Sequence, residues 1–144
     1  MERIAIIMAG GAGNRFWPLS KINRPKQLIQ FKEGSPTLLE EAIERALIVF
    51  KSENIYIITN QYMLDAIGKV ITEIPRENII AEPAKRNTAP SLALMAAIIS
   101  VRYKLKGIPE SNIVIGVLTA DQKIFPNDAF TRSIEALLRY VEFN

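Results

Sequence analysis

Apolar residues fall along this chain in two rhythms. Short runs dense in β-branched side chains occupy Arg3–Met8, Ile55–Thr59, Asn78–Ala81 and Ile113–Leu118, and they predict strands. Between them the apolar positions recur at helical spacing. Ser35 offers an N-cap with Pro36 in the first turn, ahead of a stripe formed by Leu39, Ala42, Ile43, Ala46 and Leu47. Asn60 caps a second predicted helix carrying Leu64, Ile67, Val70 and Ile71. Thr88 caps a third, apolar from Leu92 to Leu105 and stopped by Gly107 and Pro109; Asn127 caps a fourth bearing Phe130, Ile134, Leu137 and Leu138.

Four strand–helix alternations predict an α/β fold, a Rossmann-like, mostly parallel sheet with helices on both faces. The strands read as nearly continuous apolar runs, the pattern of strands covered on both sides. No internal repeat, low-complexity tract or linker divides the sequence, so residues 1–144 read as one domain. Ligands of such sheets gather beyond the carboxyl ends of the strands. Gly10–Arg15, Thr59-Asn60, Glu82–Asn87 and Thr119–Gln122 are therefore expected to share one rim.

Composition narrows the chemistry. The 18 basic and 15 acidic side chains leave a net charge of +3 with no basic block, which favours a small anionic ligand over a nucleic acid. Cysteine and histidine are both absent, which excludes disulfides, thiolate and imidazole metal ligands, and Ser-His or cysteine nucleophiles. No charged-then-apolar leader precedes the first strand, and the longest apolar stretch, Leu92 to Val101, is too short to span a bilayer. A cytoplasmic chain with no membrane partner is the expectation.

The first strand runs into Met8-Ala9-Gly10-Gly11-Ala12-Gly13-Asn14-Arg15. Glycines here serve either as a tight strand exit or as a nest of backbone N–H groups around an anion. The dinucleotide fingerprint fails, because Phe16 stands where its last glycine belongs, and no Gly-Lys-Ser/Thr of a P-loop is present. Arg15 and Lys26 are the positive groups placed to meet phosphates. Downstream, Glu82 to Pro90 reads either as a connection capped by Thr88 or as a base-recognising loop. A carboxylate or carbonyl there suits the N1 and 2-amino donors of guanine, and an N–H, arginine or asparagine suits O6. Asp121 reads either as a turn residue or as a magnesium ligand completed by phosphate oxygens and water.

The stretch Gly10-Gly11-Ala12-Gly13-Asn14-Arg15-Phe16-Trp17-Pro18-Leu19-Ser20, followed by Arg24-Pro25-Lys26-Gln27, resembles the N-terminal signature of the sugar-phosphate nucleotidylyltransferases. Its Trp-Pro-x-Ser and Pro-Lys-Gln elements are similar to those of mannose-1-phosphate guanylyltransferases. Glu82-Pro83-Ala84-Lys85-Arg86-Asn87-Thr88-Ala89-Pro90 resembles a second motif of that family, with every fixed position present. The resemblance implies a nucleotidyltransferase fold of the GT-A-like type. It assigns Gly10, Gly11 and Gly13 to the nucleotide phosphates, Arg15 and Lys26 to catalysis, and Glu82, Pro83, Arg86, Asn87 and Thr88 to base and ribose. Asp121 would hold Mg2+. The family's Pro-Ala/Ser-Asp-His becomes Thr119-Ala120-Asp121-Gln122 here, and Gln122 cannot titrate as the histidine does.

The implied reaction joins GTP and mannose 1-phosphate to give GDP-mannose and pyrophosphate, needing no protein nucleophile. Family members are longer, so the expectation for residues 1–144 is the truncated, N-terminal nucleotide-binding half of a guanylyltransferase catalytic domain. Its cut sheet edge and apolar helix faces invite homo-oligomer contacts. A catalytically incomplete GTP/GDP-binding module, another sugar-1-phosphate nucleotidylyltransferase and a structural subunit with vestigial loops are the alternatives.

Overall fold

A computed structural model describes residues 1–10, 26–84 and 87–143. Strands β1 (Glu2–Met8), β2 (Ile55–Asn60), β3 (Ile79–Glu82) and β4 (Ile113–Thr119) form one sheet in the order β3-β2-β1-β4. All three pairings are parallel. Each strand reaches the next through a helix: α1 (Leu38–Leu47), α2 (Gln61–Val70) and α3 (Thr88–Leu105), with α4 (Asn127–Phe143) after β4. The predicted α/β architecture is the observed one.

The pleat sorts the core into two layers. Ala5, Ile7, Ile55, Ile57, Val114 and Leu118 turn to one face, where they meet Leu39, Ala42 and Ile43 of α1, Met63 and Ile67 of α2, and Leu138 of α4. Ile4, Ile6, Tyr56 and Ile58 turn to the other and meet Met95, Ile99 and Tyr103 of α3. Fully burying such aliphatic side chains contributes about 1.5–3 kcal/mol each, and this is the main driving force for the fold. The expectation that every strand is covered on both faces fails at β4. Ile115 and Val117 remain 38% and 46% exposed, because α3 packs over β1 and β2 and leaves that side of β4 open. Apolar side chains of α4 are exposed too, among them Leu137, Tyr140 and Phe143.

Three helix starts differ from the sequence reading. Thr37, rather than Ser35, caps α1, because Thr37 and Glu40 form a capping box: Glu40 N–H donates to Thr37 Oγ1, and Thr37 N–H to Glu40 Oε2. Ser35 closes a turn on Lys32 instead. Asn87 rather than Thr88 stands before α3, and Asn127 is already the first residue of α4. Asn60 does cap α2, accepting from Met63 N–H at 3.0 Å. At the far end of α3, Gly107 at φ 74° donates to Lys104 O and Ile108 N–H donates to Tyr103 O. That pair of bonds is a Schellman stop, and it requires the left-handed residue that glycine supplies.

A short recurrence missed in the sequence governs the amino ends of the strands. Ser52-Glu53-Asn54-Ile55, Arg76-Glu77-Asn78-Ile79 and Glu110-Ser111-Asn112-Ile113 each fold into a 3-10 turn that feeds straight into a strand. Asn54 Nδ2 donates to Arg3 O of β1 at 3.2 Å, and Asn78 Nδ2 donates to Ile55 O of β2 at 3.1 Å. Each amide therefore ties its strand to the neighbour's first residues and fixes the register. Their Oδ1 atoms are used as well: Tyr103 Oη donates to Asn54 at 2.6 Å, and Arg102 Nη1 to Asn78 at 2.9 Å. Burial holds the Tyr103 hydroxyl well above the usual tyrosine range, so it serves as a donor at all ordinary pH.

Gly116 of β4 shows how tight the α1 face is, since a Cβ there would lie 3.0 Å from Cζ of buried Phe50. Gly116→Ala is expected to destabilise the chain by about 1–3 kcal/mol through overpacking, and Phe50→Leu to relieve most of that cost. Denaturant melts of the two single variants and the double variant check this; additive losses would remove the contact as the cause.

Arg3 of β1 clasps Glu142 of α4 with two bonds, Nε to Oε1 at 2.6 Å and Nη2 to Oε2 at 2.7 Å. The bond from Arg3 holds the Glu142 carboxyl below its ordinary range. A depressed carboxyl stabilises the fold above its unfolded pKa, and that stabilisation is lost as pH falls through the folded value. The melting-temperature gap between the native chain and Glu142→Gln is therefore expected to be widest near pH 7 and to close on acidification below the usual carboxylate range. Thermal melts across that series measure it.

Candidate functional site

Because all four strands run the same way, their carboxyl ends open on one rim. Beyond β1, Ala9 stays tied to β2: its N–H donates to Ile58 O at 2.8 Å and its carbonyl accepts from Thr59 Oγ1 at 3.1 Å. Gly10 follows at the rim. A Cβ placed on Gly10 would lie 3.4 Å from Glu82 Oε1, which puts the carboxylate at the end of β3 beside the exit of β1. Residues 26–28 form a short 3-10 turn, and Leu38 N–H donates to Ile29 O just behind it, seating the turn at the start of α1.

That turn places two neighbouring side chains. Gln27 is 1% exposed and its Nε2 donates to Gly10 O at 2.9 Å. Its Oε1 is buried and has no hydrogen-bond partner among the described residues; a buried acceptor left so typically costs about 1–3 kcal/mol. The Lys26 ammonium is hydrogen-bonded to the Asp121 carboxylate just past β4. Gln27 thus ties the turn to Gly10 beyond β1, its neighbour Lys26 ties it to Asp121 beyond β4, and the Glu82 carboxylate at the end of β3 lies beside Gly10. The sequence reading gave Lys26 and Asp121 separate roles, and the structure pairs them.

Other predicted residues are less connected. Pro83 lies exposed at the bend after β3, and Asn87 and Thr88 lie exposed at the start of α3. Asn87 holds φ at 69°, a left-handed conformation unfavourable for a residue with a Cβ, typically by about 1–3 kcal/mol. Its side chain makes no capping bond, while its carbonyl accepts from Ser91 Oγ at 2.7 Å. Gly11, Gly13, Arg15 and Arg86 lie outside the described residues.

The structure adds one cation that the periodicity of α1 hides. Arg45 sits in the apolar stripe's helix, 3% exposed, and its Nη2 donates to Gln122 O at 3.2 Å. Burial pulls its pKa down while the Glu41 and Glu44 carboxylates oppose the shift, and the guanidinium keeps its charge. In sequence it reads as one more polar position between Glu44 and Ala46.

For a metal, the donor set is sparse. Among the described residues no group of three His, Cys, Asp or Glu side chains converges. Asp121 past β4 and Glu82 at the end of β3 each offer a partly exposed carboxylate on the rim, and Asp121 is the one beside the Lys26 ammonium. One carboxylate fits a magnesium ion whose remaining ligands are phosphate oxygens and water, and does not make a closed cage.

The Lys26–Asp121 pair should show in stability. Lys26→Met and Asp121→Asn are each expected to lower the melting temperature, and the double variant to lose less than the sum, with a coupling on the order of 1 kcal/mol. A double-mutant cycle by denaturant unfolding measures this coupling; simple additivity would count against the pair.

Comparison with known proteins gives one consistent answer. The nucleotidyl transferase family model matches residues 4–137. A mannose-1-phosphate guanylyltransferase of Escherichia coli K12 is 38% identical over 139 residues, covering 95% of this chain and 28% of the relative. Mannose-1-phosphate guanylyltransferase 2 of Escherichia coli O157:H7 is 37% identical over 134 residues, covering 92% and 26%. This chain thus spans little more than a quarter of the length of these relatives. A crystal structure from Thermus thermophilus, described as a mannose-1-phosphate geranyltransferase, superposes with a TM-score of 0.79 at 27% identity, over 97% of this chain and 38% of that one.

Proposed function

This chain belongs to the nucleotidyl transferase family, and we propose that it is the nucleotide-binding part of a mannose-1-phosphate guanylyltransferase, holding GTP across the carboxyl rim of its sheet. The observation that carries this reading is the gathering of Gly10, Lys26, Glu82 and Asp121 on one rim, where Gln27 bonds Gly10, Lys26 bonds Asp121 and Glu82 lies beside Gly10. A cation and a carboxylate at the exits of β1 and β4 suit a triphosphate. A second carboxylate at the end of β3, beside the Asn87–Thr88 start of α3, suits the donors of guanine.

In the proposed reaction an oxygen of mannose 1-phosphate attacks the α-phosphorus of GTP. The bond from that phosphorus to the bridging oxygen breaks, and pyrophosphate leaves with GDP-mannose formed. The chain's own residues bind and align: Lys26 turns its ammonium from Asp121 to the phosphates, and Gly10 lets backbone and ligand approach closely. Arg15, Gly11, Gly13 and Arg86 are assigned to the same site on the motif alone. Asp121, released by Lys26, would hold Mg2+, which supplies charge neutralisation on the phosphates. Gln122 takes no proton in this reading. A cytoplasmic location, where nucleoside triphosphates are plentiful, belongs to the proposal; among the described residues no helix is long and apolar enough to cross a membrane.

Binding and turnover separate here, since this chain spans about a quarter of its relatives. Nucleotide binding is assigned to the rim; turnover is assigned to a protein of the relatives' length. Titration calorimetry with GTP, GDP, ATP and UTP tests the binding claim. The guanosine nucleotides are expected to bind more tightly, and Glu82→Gln to narrow the preference by about 1–3 kcal/mol. Equal affinities for GTP and ATP would refute the guanine assignment.

A further inference from the structure

We propose that Arg45 is a positioning residue for this site: from α1 it fixes the turn after β4 and so holds the Asp121 carboxylate against Lys26. The inference rests on the reading of Lys26 and Asp121 as site residues. The turn is tied down on both sides of Asp121. Before it, Ala120 N–H donates to Met8 O at 3.2 Å, the last bond of the β1–β4 ladder. After it, Gln122 O accepts from Arg45 Nη2, and the Lys123 ammonium is bonded to Glu41.

Of the two ties after Asp121, burial shows which one matters. The Lys123 side chain is 61% exposed, and exposed ion pairs contribute little once water and salt screen them. The Arg45 side chain is 3% exposed. Its guanidinium lies 3.9 Å from Glu41 and over the Phe130 ring, 5.9 Å from the centroid, so helix α4 closes it in from outside. Filling this space with leucine would avoid desolvating a charge. What leucine cannot do is bond a backbone carbonyl one residue beyond Asp121. Alignment of a phosphate is sensitive to shifts of about 1 Å, so a rigid support beneath the carboxylate has direct chemical value.

Heteronuclear NMR tuned to lysine ammonium groups tests this on the whole chain, with the Lys26 signal assigned by its loss in Lys26→Arg. In the native chain the Lys26 ammonium protons are expected to exchange slowly with water, and Asp121→Asn sets the value for a broken pair. Arg45→Met is expected to exchange about tenfold faster than native, close to Asp121→Asn, while its amide spectrum stays dispersed. Arg45→Lys, which keeps the stem and one donor, is expected to fall between the two. Native exchange in Arg45→Met overturns the proposal; should that variant not fold, native exchange in Arg45→Lys does so. Titration of Lys26→Met with GTP separates this claim from the functional reading. Fast Lys26 exchange in Arg45→Met, together with native GTP affinity in Lys26→Met, would leave the positioning role standing and refute the phosphate site.

Discussion

β1 is hydrogen-bonded to a parallel strand on each side, and the rest of the molecule is arranged to permit that. Parallel neighbours cannot be joined by a tight hairpin, so each return to the amino edge requires a crossover, supplied by α1, α2 and α3. Those helices need apolar surface to lie on, which makes the central strands apolar on both faces. The same constraint brings every strand exit to one edge. Gly10, Glu82 and Asp121 come from widely separated parts of the sequence, yet they share a rim because their strands share a direction.

The two edges of the sheet do different work. At the amino edge the Asn54 and Asn78 amides, with Tyr103 and Arg102 as donors to them, form mutually satisfied hydrogen bonds that fix register. At the carboxyl edge lie the Lys26–Asp121 ion pair, the Glu82 carboxylate and the open acceptor Gln27 Oε1. Fully bonded groups gain a little stability and have nothing further to bind. Charged groups, and an acceptor with no partner among the described residues, keep capacity for a ligand. Stability and chemistry are thereby separated by the length of a strand.

Much of this was legible in the sequence, for physical reasons. Runs such as Ile4–Ile7 and Ile55–Ile58 are too short and too uniformly apolar to be surface helices, so the four strands and their common direction could be read. Rim positions then followed from topology, including Gly10, Glu82 and Asp121. Helix starts were less legible. Ser35 and Thr37 are chemically alike as caps, and only the carboxylate of Glu40 reaching back decides between them. The Lys26–Asp121 pair joins residues far apart in sequence, and no local pattern encodes it. Arg45 was hidden because helical periodicity sorts residues by hydrophobicity, and a buried arginine looks like a solvated one until its surroundings are known. The repeated Asn-Ile lead-ins were in plain view but are shorter than any unit that repeat reasoning looks for.

The order of the strands also has a consequence in time. β1 is made first and sits in the middle of the sheet, yet Ile4 finds its β4 partner Ile115 only after about 110 further residues have been added. At synthesis rates of roughly 5–20 residues per second, that is on the order of 6–22 s during which Ile4-Ala5-Ile6-Ile7 has no complete partner set. A short, uncharged, β-prone segment left open for that long is the kind that pairs with the wrong chain. Until β4 emerges from the ribosome, the β4-facing edge of β1 has no native strand to pair with.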